Sequence, residues 1–451
     1  MKTLLLAGVA IAALSAASLP ALADDAAPAP TGLWERDTLT GDWDGLRTKL
    51  IDQGVTLGLK YTGEVFDTPS GGIRHGGVYE DQILLTGDLD LEKLVNLTGS
   101  TAHVSAFSIN GRGPDVNNVG SNMDSSNIEL YRQRQTRLWT LWYQWAAADS
   151  STSFRIGQLS VDDEFFLSNT ASNLLNSTFV WNALGFDNLA GGKPDRYGLT
   201  NGPGYPLGAP GFRFQLNPSD HVAWLTAAFT HQPESFDHAG TQFRFDGDAI
   251  VITELQYLEN QAKDATGLPV AYKLGAWYDT GKVNEQIYNA NGPSTIQRSS
   301  TWSLYGVADR TVWQSEDGKA LSVFLRGGVA PDSYNVVNGY VDGGVGYKGL
   351  IPGREADIAT LGVAYANAGD STVTYDKNQR LISNTNTPIR DYETVVELNY
   401  TYNAAPWWSI QPDVQYFIHP NFGAASTVPN ASATSRIPNA TVFGLRTGIT
   451  F

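Results

Sequence analysis

Along almost the whole chain, apolar and polar residues alternate with a period of two. In the last stretch, Phe443, Leu445, Ile449 and Phe451 share one parity, and Gly444, Arg446, Gly448 and Thr450 share the other. Successive side chains of a strand point to opposite faces, so one face is apolar and the other small or polar. Val55, Leu57, Leu59 and Tyr61 likewise oppose Thr56, Lys60, Thr62 and Glu64, and Ile410, Val414, Tyr416 and Ile418 oppose Ser409, Gln411, Asp413 and Gln415. About sixteen such segments follow one another: 55–66, 79–91, 101–111, 135–146, 153–159, 211–217, 221–230, 249–257, 268–279, 301–313, 321–330, 340–348, 358–367, 392–402, 408–418 and 441–451. Most have the length of a tilted transmembrane strand, about 9 to 12 residues. Two fit less well. Leu138–Trp145 is aromatic on both faces, and Thr101–Asn110 alternates poorly.

A soluble β-sandwich also alternates, with its apolar face toward a core. Two features favour a membrane barrel. Aromatics gather at segment ends: Tyr61, Phe66, Tyr257, Tyr278, Tyr400, Tyr402, Trp407, Trp408 and Phe451. Rings there suit the two interfacial girdles. Connections also alternate between long and short, and the short ones carry turn residues, as in Asn217-Pro-Ser-Asp220 and Ser315-Glu-Asp-Gly318. Charged residues make up only 17% of the chain, where about a quarter is usual for soluble domains. The expected fold is all-β: a transmembrane antiparallel β-barrel of about sixteen strands, spanning 55–451, with a short N-terminal helix and a long constriction loop at 160–210. An even strand number closes the sheet and leaves no edge in lipid.

Ahead of the barrel, Met1–Ala23 reads as a secretory signal, with Lys2, an apolar run from Leu4 to Leu19, and a small-residue site at Ala21-Leu-Ala23. Residues 24–54 form an N-terminal segment, in which Thr40–Gly54 is expected to be helical, capped by Asp42 or Asp44 and ended by Gly54. The formal charge of −16 becomes −17 on loss of Lys2, which argues against nucleic acid as a partner. The chain has no Cys, which excludes disulfides, thiolate metal sites and a Cys nucleophile.

A barrel of this size is too wide for wall side chains to fill, so the pattern predicts a polar, water-filled lumen from end to end, narrowed by the Ser160–Pro210 connection. That connection carries Asp162, Asp163, Glu164, Phe165, Phe166, Phe179, Trp181, Phe186, Tyr197 and Tyr205. A sugar path needs flat aromatic faces and bidentate donors with carboxylates. Strand parity puts Trp142, Arg155, Arg213, Arg326, Asp413 and Gln415 on the lumen face, and Glu164 joins them from the loop as a candidate solute contact. For each Arg the competing role is a lumen charge paired with a nearby acid.

Several motifs resemble the carbohydrate-selective porin family of Gram-negative outer membranes, the OprB-like porins. They are Leu39-Thr-Gly-Asp-Trp-Asp-Gly-Leu-Arg47, Asp88-Leu-Asp-Leu-Glu-Lys-Leu94, Arg155-Ile-Gly-Gln-Leu-Ser-Val-Asp-Asp-Glu-Phe165, Val323-Phe-Leu-Arg-Gly-Gly-Val-Ala-Pro-Asp332, Tyr347-Lys-Gly-Leu-Ile-Pro-Gly-Arg354, and Ser409-Ile-Gln-Pro-Asp-Val-Gln-Tyr416 with His419-Pro420. The resemblance implies a sixteen-stranded barrel, passive uptake of glucose and related sugars, and recognition of terminal Phe451 by the barrel-insertion machinery. It also makes a homo-trimer an open expectation. The family commonly has acidic residues on the aromatic-rich fourth strand, where this chain has Thr140 and Gln144.

The rival functions are a general or other small-solute porin, a barrel enzyme and an adhesin. The chain lacks G-x-S-x-G, H-E-x-x-H and a Walker loop. His231, Glu234, Asp237 and His238 form one ligand-like cluster, read here as a solvated outer loop. The expectation is transport of small sugars across an outer membrane, with no chemistry, no cofactor, no metal and no nucleic-acid partner.

Overall fold

The computed structural model describes residues 32–129, 134–189, 202–231, 239–245, 247–262, 265–284, 288–290, 292–293, 296–332, 335–427, 432 and 434–451. The signal segment, Tyr197, Glu234, Asp237 and His238 lie outside the described residues, as does the side chain of Phe186.

Sixteen antiparallel strands close into one barrel. In chain order they are β1 (Val55–Ser70), β2 (Gly76–Asp90), β3 (Ser100–Gly111), β4 (Gln135–Ala146), β5 (Thr152–Leu159), β6 (Ala209–Ser219), β7 (Val222–Thr230) and β8 (Ala249–Glu259). They continue with β9 (Val270–Asn284), β10 (Gln297–Gln314), β11 (Ala320–Val329), β12 (Val337–Lys348), β13 (Ile358–Ala368), β14 (Tyr392–Ala405), β15 (Trp408–Ile418) and β16 (Ala440–Thr450). Each pairs with its sequence neighbours, and β1 pairs β16 from Lys60↔Thr450 to Ser70↔Thr441, so every strand edge is satisfied within the sheet.

All sixteen alternating segments become strands, and the outward face is the apolar one. Leu85, Ile156, Leu255, Leu274, Leu304, Leu325 and Leu398 are each more than half exposed, which is the state of side chains that contact lipid tails. Two aromatic belts flank them. Trp224, Tyr257, Tyr272, Trp313 and Tyr402 lie toward the short turns, and Tyr79, Tyr278, Trp302, Tyr365 and Tyr416 toward the long connections. Trp302 and Trp313 close the two ends of β10; that stretch rises about 37 Å along the strand, or a little under 30 Å along the axis at the usual tilt. Phe66, expected in a belt, instead points into the lumen and is buried, because its even parity follows Thr62 and Glu64.

The termini meet at the short-turn end. A helix, α1 (Leu46–Asp52), follows Gly45; Asp42 accepts from the backbone N–H and hydroxyl of Thr48, and Gly54, at φ +95°, ends the segment. Arg47 donates to the Phe451 carbonyl at 2.8 Å, and Trp34 stacks on Trp407 at 5.9 Å.

The lumen differs from the sequence expectation. It is not polar from end to end. The described residues of two connections, 160–189 with 202–208 and 112–129, lie inside the barrel and build an apolar core there. Loop residues Val119, Met123, Phe165, Phe166, Leu174 and Phe179 join wall residues Leu225, Ile250, Ile252, Trp277, Tyr305 and Phe324. The reason is volume: a sixteen-stranded wall cannot fill its own interior, so the loops supply the missing side chains. Gly362 leaves room for one of them, since a Cβ there would sit 2.4 Å from Leu174 Cδ1.

Candidate functional site

Buried wall groups bind the inserted loops through their backbone. Glu254 accepts from Phe166 N at 2.9 Å, and Asp309 from Thr170 N at 2.8 Å and the Ser168 and Thr170 hydroxyls. Glu397 accepts from Leu175 N at 2.6 Å and Asn176 N at 3.0 Å. Glu393 accepts from Asn122 N at 3.1 Å and Met123 N at 3.3 Å. Carboxyl oxygens are good acceptors for backbone N–H groups, so these acids fix the loops in place. None of the four was singled out from sequence, although Glu393, Val395, Glu397 and Asn399 share the lumen parity.

Two of the expected solute contacts, Arg326 and Gln415, belong to this anchoring set, and a third, Asp413, is buried behind it. Arg326, only 1% exposed, binds Asp342 and donates to the carbonyls of Phe166 and Thr178 at 3.2 and 3.3 Å, with its guanidinium 4.5 Å over the Phe166 ring. Gln415 donates to Ser125 O at 2.8 Å and accepts from Asn176 at 3.1 Å. Asp413 is buried and accepts from Gln415 at 2.9 Å.

The other four come together. Trp142 on β4, Arg155 on β5, Arg213 on β6 and Glu164 in the loop line a small cavity with Leu159, Ser160, Asp163, Phe165 and Phe229. Its enclosed part has room for about one water. Arg155 and Arg213 are register partners, both on the lumen face between outward Phe and Ile neighbours. Arg213 binds Glu164 at 2.7 Å through Nε and Ser153 at 2.6 Å; Arg155 makes an ion pair with the same carboxylate. Gln144 Oε1 accepts from Arg155 at 2.9 Å and from Arg213 at 2.8 Å. The Arg155 guanidinium lies 3.8 Å from the Trp142 ring centroid, and His103, itself 2.6 Å from Asp88, stacks on that ring at 4.9 Å.

Burial pushes the Glu164 carboxyl up, but the two guanidiniums overcome that and hold it below its ordinary value. Asp163 moves the other way: burial and then the Asp162 charge push it well up, against the pull of Arg155. Gln144, Asp163 and His103 were not among the sequence candidates; lumen parity marks Gln144 and His103, while Asp163 depends on the loop's path. Facing the short-turn end, Lys60, Asp88, Trp142, Gln144, Arg155, Lys273 and Arg446 are all partly exposed on the lumen face. Among the described residues no group of acids and histidines is arranged to hold a metal. Of the ligand-like cluster, His231 is described, and it is paired with Asp279 at 2.7 Å.

The family model described as "Carbohydrate-selective porin, OprB family" matches residues 74–451. The chain belongs to this family. It is an outer-membrane carbohydrate-selective porin. It is 27% identical over 431 residues to Porin B of Pseudomonas aeruginosa, covering 89% of both chains, and 25% identical to the putative porin QuiX of Acinetobacter baylyi, covering 86% of this chain and 89% of that one. Its fold is similar to the high-pH structure of Pseudomonas putida OprB, with a TM-score of 0.78, 23% identity and coverage of 92% of this chain and 99% of that one. It is also similar to the low-pH structure, with a TM-score of 0.57, 20% identity and the same coverage. As a carbohydrate-selective porin the molecule is a channel.

Proposed function

We propose that this porin passes glucose and similarly small sugars by passive diffusion, and that Trp142, Arg155, Glu164 and Arg213 are the solute-contacting residues. Loop residues 160–189 and 202–208 act as the constriction, with 112–129 closing a second side. The observation that carries this reading is the convergence of two guanidiniums, a carboxylate and an indole on one small cavity at the edge of the inserted loop. Arg and carboxylate groups engage vicinal hydroxyls as donors and acceptors, and an aromatic face suits the C–H face of a pyranose.

Arg326 and Gln415 take the role of loop anchors in this reading, with Asp413 buried behind them, and touch no solute. Phe451 is read as the signal for the barrel-insertion machinery. Single-channel conductance in a planar bilayer, with and without millimolar glucose, tests the sugar site. Interrupted current is expected; current indifferent to glucose, with equal liposome swelling for sugars and amino acids of matched size, returns a general porin.

A further inference from the structure

The protein as a whole is strongly acidic, with a formal charge of −16, yet among the described residues the partly exposed lumen charges are mostly cationic. The lumen acids Glu64, Glu254, Asp342, Glu393 and Glu397 are each at most 1% exposed, and each is engaged by a loop N–H, a hydroxyl or a wall guanidinium. The partly exposed lumen cations are Lys60, Arg155, Lys273 and Arg446. The described lumen acids near the cavity that stay partly exposed are Asp88, which is hydrogen-bonded to His103, and Asp163.

The cavity repeats this imbalance at short range. Two guanidiniums face one ionised carboxylate, Glu164, and Gln144 is a neutral acceptor that adds no charge. Asp163 also lines the cavity, but burial, with the Asp162 and Glu164 charges beside it, favours its neutral form, which can donate as well as accept. Each guanidinium carries five N–H donors in a planar fork, and the contacts to Glu164, Gln144 and Ser153 leave donors over. A net positive, donor-rich cavity is matched by a planar anion with two acceptor oxygens.

We propose that the Arg155–Arg213 cavity selects carboxylated sugars, aldonates and uronates, over neutral sugars of the same size. The proposal rests on reading this cavity as the sugar site. The carboxylate takes the spare guanidinium donors, and the hydroxyl-bearing carbons lie toward Trp142 and Glu164. The rest of the lumen supports the same sign, since Lys60 and Lys273 raise the local concentration of anions before they reach the cavity, while Arg446 is balanced by Glu64. A charge-assisted hydrogen bond in place of a neutral one corresponds to a preference of about tenfold.

The test compares glucose with gluconate, which has the same carbon skeleton and one carboxylate, as blockers of single-channel current through the intact barrel. Gluconate is expected to interrupt the current at about one tenth of the concentration needed for glucose. The preference is expected to collapse in Arg155→Gln. It is also expected to weaken strongly between low and molar salt in the unaltered protein, a measurement that needs no variant. If gluconate blocks no better than glucose while glucose itself blocks, the carboxylate preference is wrong and the sugar site stands. If neither blocks, the sugar site is wrong as well. A gluconate preference that survives both Arg155→Gln and molar salt places the selectivity elsewhere in the barrel and overturns the assignment.

Discussion

Arg155 and Arg213 stand directly opposite each other on adjacent strands, like charges in register, and Glu164 from the inserted loop binds both. Cross-strand like charges repel, so the wall alone is destabilised at this point. The loop resolves the conflict by bringing in the counter-charge. Closing the loop and neutralising the arginine pair are therefore one event.

Glu164→Gln should uncouple them. Removing one partner of a buried ion pair costs about 3–5 kcal/mol because the remaining charges stay buried. The wall is held by its continuous hydrogen-bond ladder, so the loss should appear as release of the loop. Hydrogen exchange at 160–166 should accelerate while the strands stay protected, and the reversal potential in a salt gradient should shift toward anions. Unchanged exchange in that segment means that Glu164 does not latch the loop.

The wall acids give a second handle on the same loop. Glu397→Ala removes the acceptor for both Leu175 N and Asn176 N, each buried. Two orphaned N–H groups cost about 1–3 kcal/mol each. Single-channel conductance should rise and become noisier, with weaker discrimination between sugars. A conductance trace identical to that of the unaltered barrel shows that the anchor is redundant.

The first inserted loop should respond to pH. Burial raises the Asp115 carboxyl from its ordinary value near 4 to about 6, partly offset by hydrogen bonds from Ser121 and Ser125. Burial likewise pushes Glu129 well up, helped by the charges of Glu80 and Asp115. A raised carboxyl takes up a proton on folding, so its contribution is fully present below about pH 4 and is lost as pH rises toward about 6. The loop should therefore be held more tightly at pH 4 than at pH 7, by an amount on the order of a few kcal/mol. Proteolysis of the 112–129 segment across that window measures it, and Asp115→Asn should flatten the profile. A loop cut equally fast at both pH values contradicts the assignment.

The strands were legible because the lipid outside and the lumen inside impose a period of two that each segment records by itself. What lies above a lumen-facing residue is not recorded in its own segment. Trp142, Arg155, Arg326 and Asp413 share the same kind of parity, yet two line a cavity and two lie under loops, because the covering chain comes from residues far away in sequence. The same cause explains why Thr101–Asn110 alternates poorly. Its lumen face carries Phe107 and Ile109, which join a small core with Leu84, Trp139 and the loop residue Tyr205. The second inserted segment, 112–129, was missed for a related reason: its many Asn, Asp and Ser residues suit an outer loop as well as one whose backbone is bound by wall acids.

The outward face offers a prediction whose sign depends on the barrel lying in lipid. Leu274 on β9 is 67% exposed; its register partner on β8 is Leu255, also outward and more than half exposed, and on β10 it faces Gly306. An Arg there must reach the interface or carry its charge into hydrocarbon, at a cost of about 2–4 kcal/mol near the midplane. Leu274→Arg should lower the unfolding free energy in bilayers by that amount, read from a denaturant titration. Thr86→Arg, placed on the lumen side and half exposed, should leave that titration nearly unchanged and alter conductance instead. If the two substitutions destabilise the barrel equally, the assignment of lipid and lumen faces to these parities fails.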